Sequence, residues 1–167
     1  KEYQVDWFAR PKNVIASRFA QNAICFVAFK NDDPVACLWI VMGSYMEDEV
    51  KCKFVPTPFN MTAWDFDVYI KPEYRLGRVF SYLWNEANRF MRMHDIKWTM
   101  SRIDAFNTQS MRSHKRMGAV CLGGLTFIGF GKFQLMISTI HPFLHVSLSD
   151  LSYPEIKLVA PHEAKKK

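Results

Sequence analysis

The chain has 167 residues, and its 22 Lys and Arg against 16 Asp and Glu give a formal net charge of +6 at pH 7. At roughly 100–200 residues per domain, this length predicts a single domain, residues 1–167. A hydrophobic content of 49% with 15% aromatic residues excludes a disordered chain, and seven Gly and eight Pro exclude collagen-like and low-complexity classes. The positive charge is compatible with a nucleic acid, an anionic membrane or a phosphorylated ligand, and composition alone does not choose between them.

Targeting and redox signals predict a cytoplasmic protein without a membrane span. The uncharged stretches 119–131 and 133–148 are too short or too interrupted for the ~20 residues of a membrane helix, and no apolar segment follows the polar N-terminus as a signal peptide would. The four cysteines show no CxxC pair and no zinc-like spacing, so we expect reduced core thiols. Pro142 lies between His141 and His145 and disfavours a helical metal site there, so no metal is expected.

The first half of the chain predicts a helix and then three strands. Residues 13–22 are typical of a short helix. Two apolar runs, Ile24–Phe29 and Val35–Val41, flank the turn residues Lys30–Pro34 and predict a hairpin. Trp64–Ile70 alternates apolar and polar residues, which indicates a strand with one polar face.

The second half alternates helices and strands. From Arg78 the apolar residues recur with the period of an amphipathic helix. The further predictions are a strand over Ile96–Phe106, a helix over Asn107–Met117 capped by Asn107 or Thr108, and strands over Val120–Gly131 and Phe133–Ile140. The tail from His141 shows no strong period. The order of elements predicts a mixed α/β or α+β layer.

The turn before the long helix has the features of an anion site. Pro72–Ser81 joins a strand to a helix N-terminus, where unpaired N–H groups and the helix dipole favour negative charge. Gly77 permits close backbone approach, and Arg75 and Arg78 add positive charge. The alternative is an ordinary turn with solvated arginines, because neither GxxxxGK[ST] nor GxGxxG is present.

Together with a later segment, this turn resembles the GCN5-related N-acetyltransferase (GNAT) superfamily. The family's Val-x-Pro-Glu-Tyr-Arg-Gly-x-Gly-x-Gly run corresponds to Ile70–Arg75 and the loop Leu76–Phe80. Its later Asn-x-x-(Ala/Ser)-x-x-x-Tyr-x-x-x-Gly-Phe run is matched, with every spacing kept, by Asn107, Ser110, His114, Gly118 and Ala119. The resemblance covers about residues 13–137 and leaves residues 141–167 as a C-terminal extension. It implies a mixed, mostly antiparallel sheet flanked by helices.

The resemblance implies that acetyl-CoA is the cofactor. Backbone groups of Val68, Tyr69 and Ile70 would pair with its pantetheine arm. The pyrophosphate would be held by the loop that comprises Arg75, Leu76, Gly77, Arg78, Val79, Phe80 and Ser81. Asn107 would contact the cofactor arm, or would simply cap its helix. Arg78 and Phe80 occupy positions where the family has glycine.

The resemblance also implies direct attack of a primary amine on the thioester. His114 stands where the family has a tyrosine acid, and an imidazole can protonate the departing thiolate. A solvated or core-facing helix histidine is the alternative. Asp67 and Asp65 are the candidate bases, with Asp104 third, and the alternative for the first two is a solvated strand face.

The predicted activity is that of an N-acetyltransferase that moves an acetyl or short acyl group to an amine of an unidentified acceptor. The alternative is a non-catalytic acyl-CoA-binding or nucleic-acid-binding module. No membrane partner is expected, nucleic acid is disfavoured, and a homodimer is left open. Residues 71–116 hold ten basic and four acidic residues and thus the entire net charge, a distribution that a phosphate-rich cofactor explains more simply than a nucleic-acid surface.

Overall fold

The computed structural model describes residues 10–161, which form three α-helices and ten strands. The helices are α1 (Lys12–Ala20), α2 (Val79–Met93) and α3 (Thr108–Arg116). The strands are β1 (Ile24–Lys30), β2 (Asp33–Met42), β3 (Tyr45–Met46), β4 (Lys53–Thr57), β5 (Thr62–Ile70), β6 (Trp98–Met100), β7 (Leu125–Phe130), β8 (Phe133–Ser138), β9 (Leu144–Ser147) and β10 (Glu155–Val159). Short 3₁₀ turns cover Phe59–Met61 and Pro72–Tyr74.

The described chain divides into two compact units. The first comprises residues 10–45 and 56–100, and the second comprises residues 46–55 and 101–161. The prediction of one domain over residues 1–167 stays a prediction. The Lys165–Lys167 tail lies outside the described residues.

The first unit is built on a four-stranded sheet in the order β1-β2-β5-β6. The β1–β2 and β2–β5 pairs are antiparallel and the β5–β6 pair is parallel, so the sheet is mixed and mostly antiparallel as predicted. The parallel pair requires a crossover, which α2 supplies. The β1–β2 turn places Asn31 and Asp32 at φ 50° and 65°, a left-handed conformation that these two residue types tolerate.

Helix α2 covers one face of this sheet because its apolar residues recur on one side. Leu83, Ala87 and Met91 are buried against the core that β2 and β5 provide, in a cluster that also contains Leu38 and Ala63. Burial of apolar surface at about 25 cal/mol per Å² is what stabilises this pairing of helix and sheet.

The second unit contains the sheet β7-β8-β9, in which both strand pairs are antiparallel. The side chain of Gln134 exchanges two hydrogen bonds of 2.8 Å with the backbone of Lys51 and so ties β8 to the segment before β4. A further sheet has the order β10-β4-β3.

The structure corrects several boundaries. The strand predicted over Ile96–Phe106 pairs only over Trp98–Met100, and the strand predicted over Val120–Gly131 begins at Leu125. Four strands were missed: the two-residue β3, β4, which contains Pro56, and β9 and β10, which lie in the tail that showed no period. The four cysteines are free thiols, but Cys121 is exposed and does not lie in the core.

No helix among residues 10–161 combines the length and the apolar character that a bilayer span requires. Over the same residues, no three His, Cys, Asp or Glu side chains come together as a metal site would need.

Candidate functional site

Strand β5 contains a bulge in the middle of the predicted site. Phe66 is opposite Trp39 and Tyr69 is opposite Cys37, so two residues of β5, Asp67 and Val68, face a single residue of β2. Asp67 has φ 48°, a left-handed conformation of the kind that one class of β-bulge contains. The bulge reverses which face each later side chain occupies.

The reversal changes the predicted polar face of β5. Val68 and Ile70 pack against the core under α2, the side on which Ala63 lies before the bulge. Asp65 is opposite Ile40 and is 2% exposed, so it does not belong to a solvated strand face. The strict alternation inferred for Trp64–Ile70 was therefore wrong beyond Phe66.

The side chain of Asp67 is held by two arginines. Arg18 Nη1 donates to Asp67 Oδ2 at 2.6 Å, and Arg10 donates from Nε and Nη2 at 3.1 and 3.3 Å. The Arg18 side chain is 1% exposed, and its guanidinium lies 5.2 Å from the Trp39 ring centre and 5.0 Å from that of Phe66. Two aromatic faces and a carboxylate thus surround a buried cation, which is how such a charge is tolerated in a core.

These contacts set the protonation of Asp67. Burial raises the pKa of its carboxyl, but the hydrogen bonds and charges of Arg10 and Arg18 outweigh burial and the net shift is downward. A carboxylate that is stabilised in this way accepts a proton poorly at neutral pH. Arg18 is a site residue that the sequence analysis missed.

One edge of β5 is open where the cofactor arm was predicted. Strand β6 pairs with β5 only from Thr62 opposite Trp98 to Trp64 opposite Met100. Beyond Trp64, no strand of the described chain pairs with this edge. The backbone of Val68, Tyr69 and Ile70, the predicted pantetheine partners, therefore lies in the open part of the strand.

The loop after β5 is a compact series of turns. Lys71 N donates to Val35 O at 2.9 Å, and Arg75 Nε donates to Ile70 O at 3.0 Å, which fixes the loop to the strand end. Leu76 is fully exposed. A Cβ at Gly77 would lie 3.3 Å from the carbonyl oxygen of Tyr74, so glycine is favoured there on steric grounds alone.

Helix α2 begins directly after this loop without a side-chain cap. Arg78 is at its N-cap, makes no side-chain capping hydrogen bond and is exposed. The predicted loop residues Val79, Phe80 and Ser81 form the first turn, whose N–H groups have no partner within the helix. Phe80 packs onto the core and lies 6.3 Å from the ring of Trp84, so its bulk points away from the turn.

The strand, loop and helix thus fit the cofactor that the sequence predicted. An open strand edge offers peptide groups to an amide-bearing arm, and an uncapped helix N-terminus with two arginines favours phosphate. The residues that would hold coenzyme A are Val68, Tyr69, Ile70, Arg75, Leu76, Gly77, Arg78, Val79, Phe80 and Ser81. All of them belong to the first unit, and so do Asp65 and Asp67.

Asn107 and His114 belong to the second unit, on α3. The Asn107 side chain caps the helix by accepting from Ser110 N at 3.0 Å, which is the structural alternative foreseen for it. His114 Nδ1 lies 2.8 Å from the carbonyl oxygen of Ser110. A carbonyl only accepts, so Nδ1 carries a proton. The third base candidate, Asp104, accepts from Phe106 N at 2.8 Å.

The second unit also has an open groove of about 460 Å³ between residues 46–51, the β7–β8 turn and Asp150. Its acidic side chains have basic neighbours: Glu47 lies 3.2 Å from Arg102, and Asp150 lies 3.1 Å from Lys51. Burial raises the pKa of the Glu47 carboxyl, against the opposing charge of Arg102. These pairs account for most of the charge in the groove without a ligand.

Solved structures share this architecture. A Bacillus halodurans protein has a TM-score of 0.55 at 11% identity, over 77% of this chain and 78% of that one. The aminoglycoside acetyltransferase AAC(6')-Iy, solved with a bisubstrate analogue of CoA, has a TM-score of 0.52 at 15% identity, over 75% and 84%. Ribosomal-protein-alanine N-acetyltransferase from Brucella melitensis biovar Abortus 2308 has a TM-score of 0.50 at 11% identity, over 73% and 83%.

The chain therefore has the fold of the GNAT acetyltransferases, as its two motifs predicted. At these identities the likeness concerns fold alone. No protein-family model matches the sequence, and neither does the sequence of any curated protein.

Proposed function

We propose that this protein transfers an acetyl or short acyl group from coenzyme A to a primary amine. The observation that carries the proposal is the open edge of β5 beyond Trp64, which leads through an arginine-bearing loop into the uncapped first turn of α2. The open strand edge would bind the pantetheine arm through peptide groups. The arginines of the loop and the free N–H donors of the helix would bind the pyrophosphate that follows that arm in coenzyme A.

Each part of the site has a separate task in binding. The backbone of Val68–Ile70 would extend the sheet by pairing with the amides of the pantetheine arm. Arg75 holds the strand end through Ile70 O, and the first turn of α2 would receive the pyrophosphate. When bound, acetyl-CoA would supply a thioester, an acyl group activated for attack by an amine.

We assign Asp67 a positioning task in addition to its predicted task as a base. The Arg18–Asp67 ion pair fastens the bulge that turns Val68 and Ile70 toward the core and so sets which peptide groups face the open edge. Because its lowered pKa makes the Asp67 carboxylate a weaker proton acceptor, we keep Asp65 beside it as the second candidate base on β5.

His114 would return a proton to the sulfur that leaves. Its imidazolium form would be the proton donor, and the departing thiolate of coenzyme A would be the group that receives the proton. Asn107 would contact the cofactor arm with its amide while its carbonyl oxygen caps α3.

A non-catalytic acyl-CoA-binding module is the second candidate. The engagement of Asp67 with two arginines favours it, because that engagement weakens the more accessible of the two predicted bases on β5. A binder needs the open strand and the loop but no proton acceptor. Nucleic-acid binding has no comparable observation in its favour.

Turnover with a panel of amines separates the two candidates. Peptide N-termini, lysine, amino sugars and polyamines would be incubated with acetyl-CoA, and acetylated product measured by mass spectrometry. Release of the CoA thiol would be followed in a Cys121→Ser variant, since the exposed Cys121 thiol would otherwise contribute background. Product from at least one amine class supports transfer; cofactor binding without product from any class supports the binding module.

A further inference from the structure

The three-stranded sheet of the second unit has one face made of apolar side chains. Cross-strand partners in an antiparallel sheet point to the same side. Leu135 is opposite Ile128 on β7 and Val146 on β9, and Ile137 is opposite Leu144. The apolar face, as we call it, consists of Ile128, Phe130, Phe133, Leu135, Ile137, Leu144 and Val146.

Among residues 10–161, this face is not covered by other side chains. Six of its seven side chains are exposed, from 41% for Phe133 to 88% for Phe130. Thr126, which shares the face, carries no charge. The opposite face of the same sheet is covered, since Met136 and Ser147 are fully buried. The solvent-exposed side of this sheet is therefore apolar, although the chain as a whole carries a net charge of +6.

The size of the face argues for an occupant. Its exposed side chains, with Leu148 two residues after Val146, present on the order of 700 Å² of apolar surface. Patches on monomers rarely exceed about 300–600 Å², whereas a stable interface covers about 800 Å² on each partner. The face is therefore the size of one half of a dimer interface.

We propose that this face docks against the same face of a second copy of the chain. Two identical uncharged faces meet without placing like charges opposite each other, although each copy is strongly positive. Homodimer interfaces are the most apolar class of interface, and two sheets pack well face to face at about 10 Å. A two-fold axis that passes over the central strand β8 would bury every residue of the apolar face in both copies.

The test is the oligomeric state of the intact protein and two matched variants, measured by sedimentation from about 1 to about 100 µM. Ile137→Lys places a charge on the central strand of the face. Met93→Lys adds the same charge at an exposed apolar residue at the end of α2, outside the face. We expect wild type and Met93→Lys to be dimers and Ile137→Lys to raise the dissociation constant at least about a hundredfold.

A wild type that is monomeric throughout this range overturns the proposal, as does a dimer that Ile137→Lys leaves intact or that Met93→Lys also dissociates. If Ile137→Lys does not fold, amide hydrogen exchange of the wild type decides. The proposal expects slower exchange in residues 125–147 at high protein concentration than at low concentration. Equal exchange at both concentrations overturns it. The outcome is independent of acyl transfer.

Discussion

Arg18 Nη1 lies 2.6 Å from Asp67 Oδ2, and this ion pair joins helix α1 to the bulge of strand β5. Arg18 is buried between the rings of Trp39 and Phe66, and Asp67 has the left-handed backbone of the bulge itself. The bulge of β5 and the charge of Asp67 are therefore stabilised by the same side-chain contacts, of which the one with Arg18 is buried.

Removal of the Arg18 charge should destabilise the protein strongly. Arg18→Met keeps an unbranched side chain between the two rings but leaves Asp67 with Arg10 alone, and we expect a loss of about 3 kcal/mol in the free energy of unfolding. Urea unfolding measures it. Arg89→Met is the control, because its pair with Glu86 is exposed and should change stability by less than about 0.5 kcal/mol. Equal losses in the two variants would contradict the assignment.

The same ion pair predicts a pH dependence. The pKa of Asp67 is lower in the folded protein than its ordinary value of about 3.9, so its stabilising contribution is complete above that value and is lost as pH falls through the folded pKa. The difference in unfolding free energy between wild type and Asp67→Asn should thus be largest near neutral pH and shrink below about pH 4. A difference that is constant with pH would show that the carboxylate charge does not matter.

Arg78 should contribute to cofactor affinity through its charge. It is exposed at the start of α2, so Arg78→Ala should leave stability nearly unchanged while weakening acetyl-CoA binding by about tenfold. Titrations at low and high salt should show a shallower salt dependence for the variant. Arg89→Ala, further along the same helix, should bind like wild type; a comparable loss there would indicate a general charge effect.

His114 should affect turnover and not binding. For His114→Ala we expect kcat to fall by about a hundredfold or more with the cofactor dissociation constant within about twofold of wild type. The pH–rate profile should lose the limb that an imidazole acid produces. An equal loss in turnover and in cofactor binding would remove the acid role, and Ser113→Ala on the same helix is the control.

Asn107 can be tested apart from its structural role. Serine is as good an N-cap as asparagine, so Asn107→Ser should keep stability within about 0.5 kcal/mol. If the amide contacts the cofactor, acetyl-CoA affinity should nevertheless fall severalfold in calorimetric titration. Unchanged affinity would leave Asn107 as a helix cap only.

Much of the fold could be predicted from local patterns. The hairpin of β1 and β2 follows from turn residues between apolar runs, and α2 follows from its helical apolar period. The strands that were missed lack such patterns: β4 contains a proline, and β9 is short and lies next to His141 and Pro142. Their pairing depends on partners distant in sequence, which local patterns do not report.

The site was predictable as a location but not in its geometry. The motif residues around Gly77 located the loop. Asp65 and Asp67, however, were both predicted on the same polar face of the strand, because the sequence alternates there between apolar and polar residues. The bulge between Phe66 and Tyr69 gives them different surroundings, and nothing in the local sequence marks it. An arginine on a short helix is ordinarily a surface residue, so the sequence did not indicate that Arg18 is buried. Its burial depends on Trp39 and Phe66, which are distant from it in sequence.

The proposed function depends above all on the binding of acyl-coenzyme A by the open edge of β5 and the first turn of α2. Calorimetric titration of the intact protein with acetyl-CoA tests it most directly. We predict one site per chain with a dissociation constant in the micromolar range, roughly 1–100 µM. No detectable heat, together with no shift of the melting temperature at millimolar acetyl-CoA, would contradict the account.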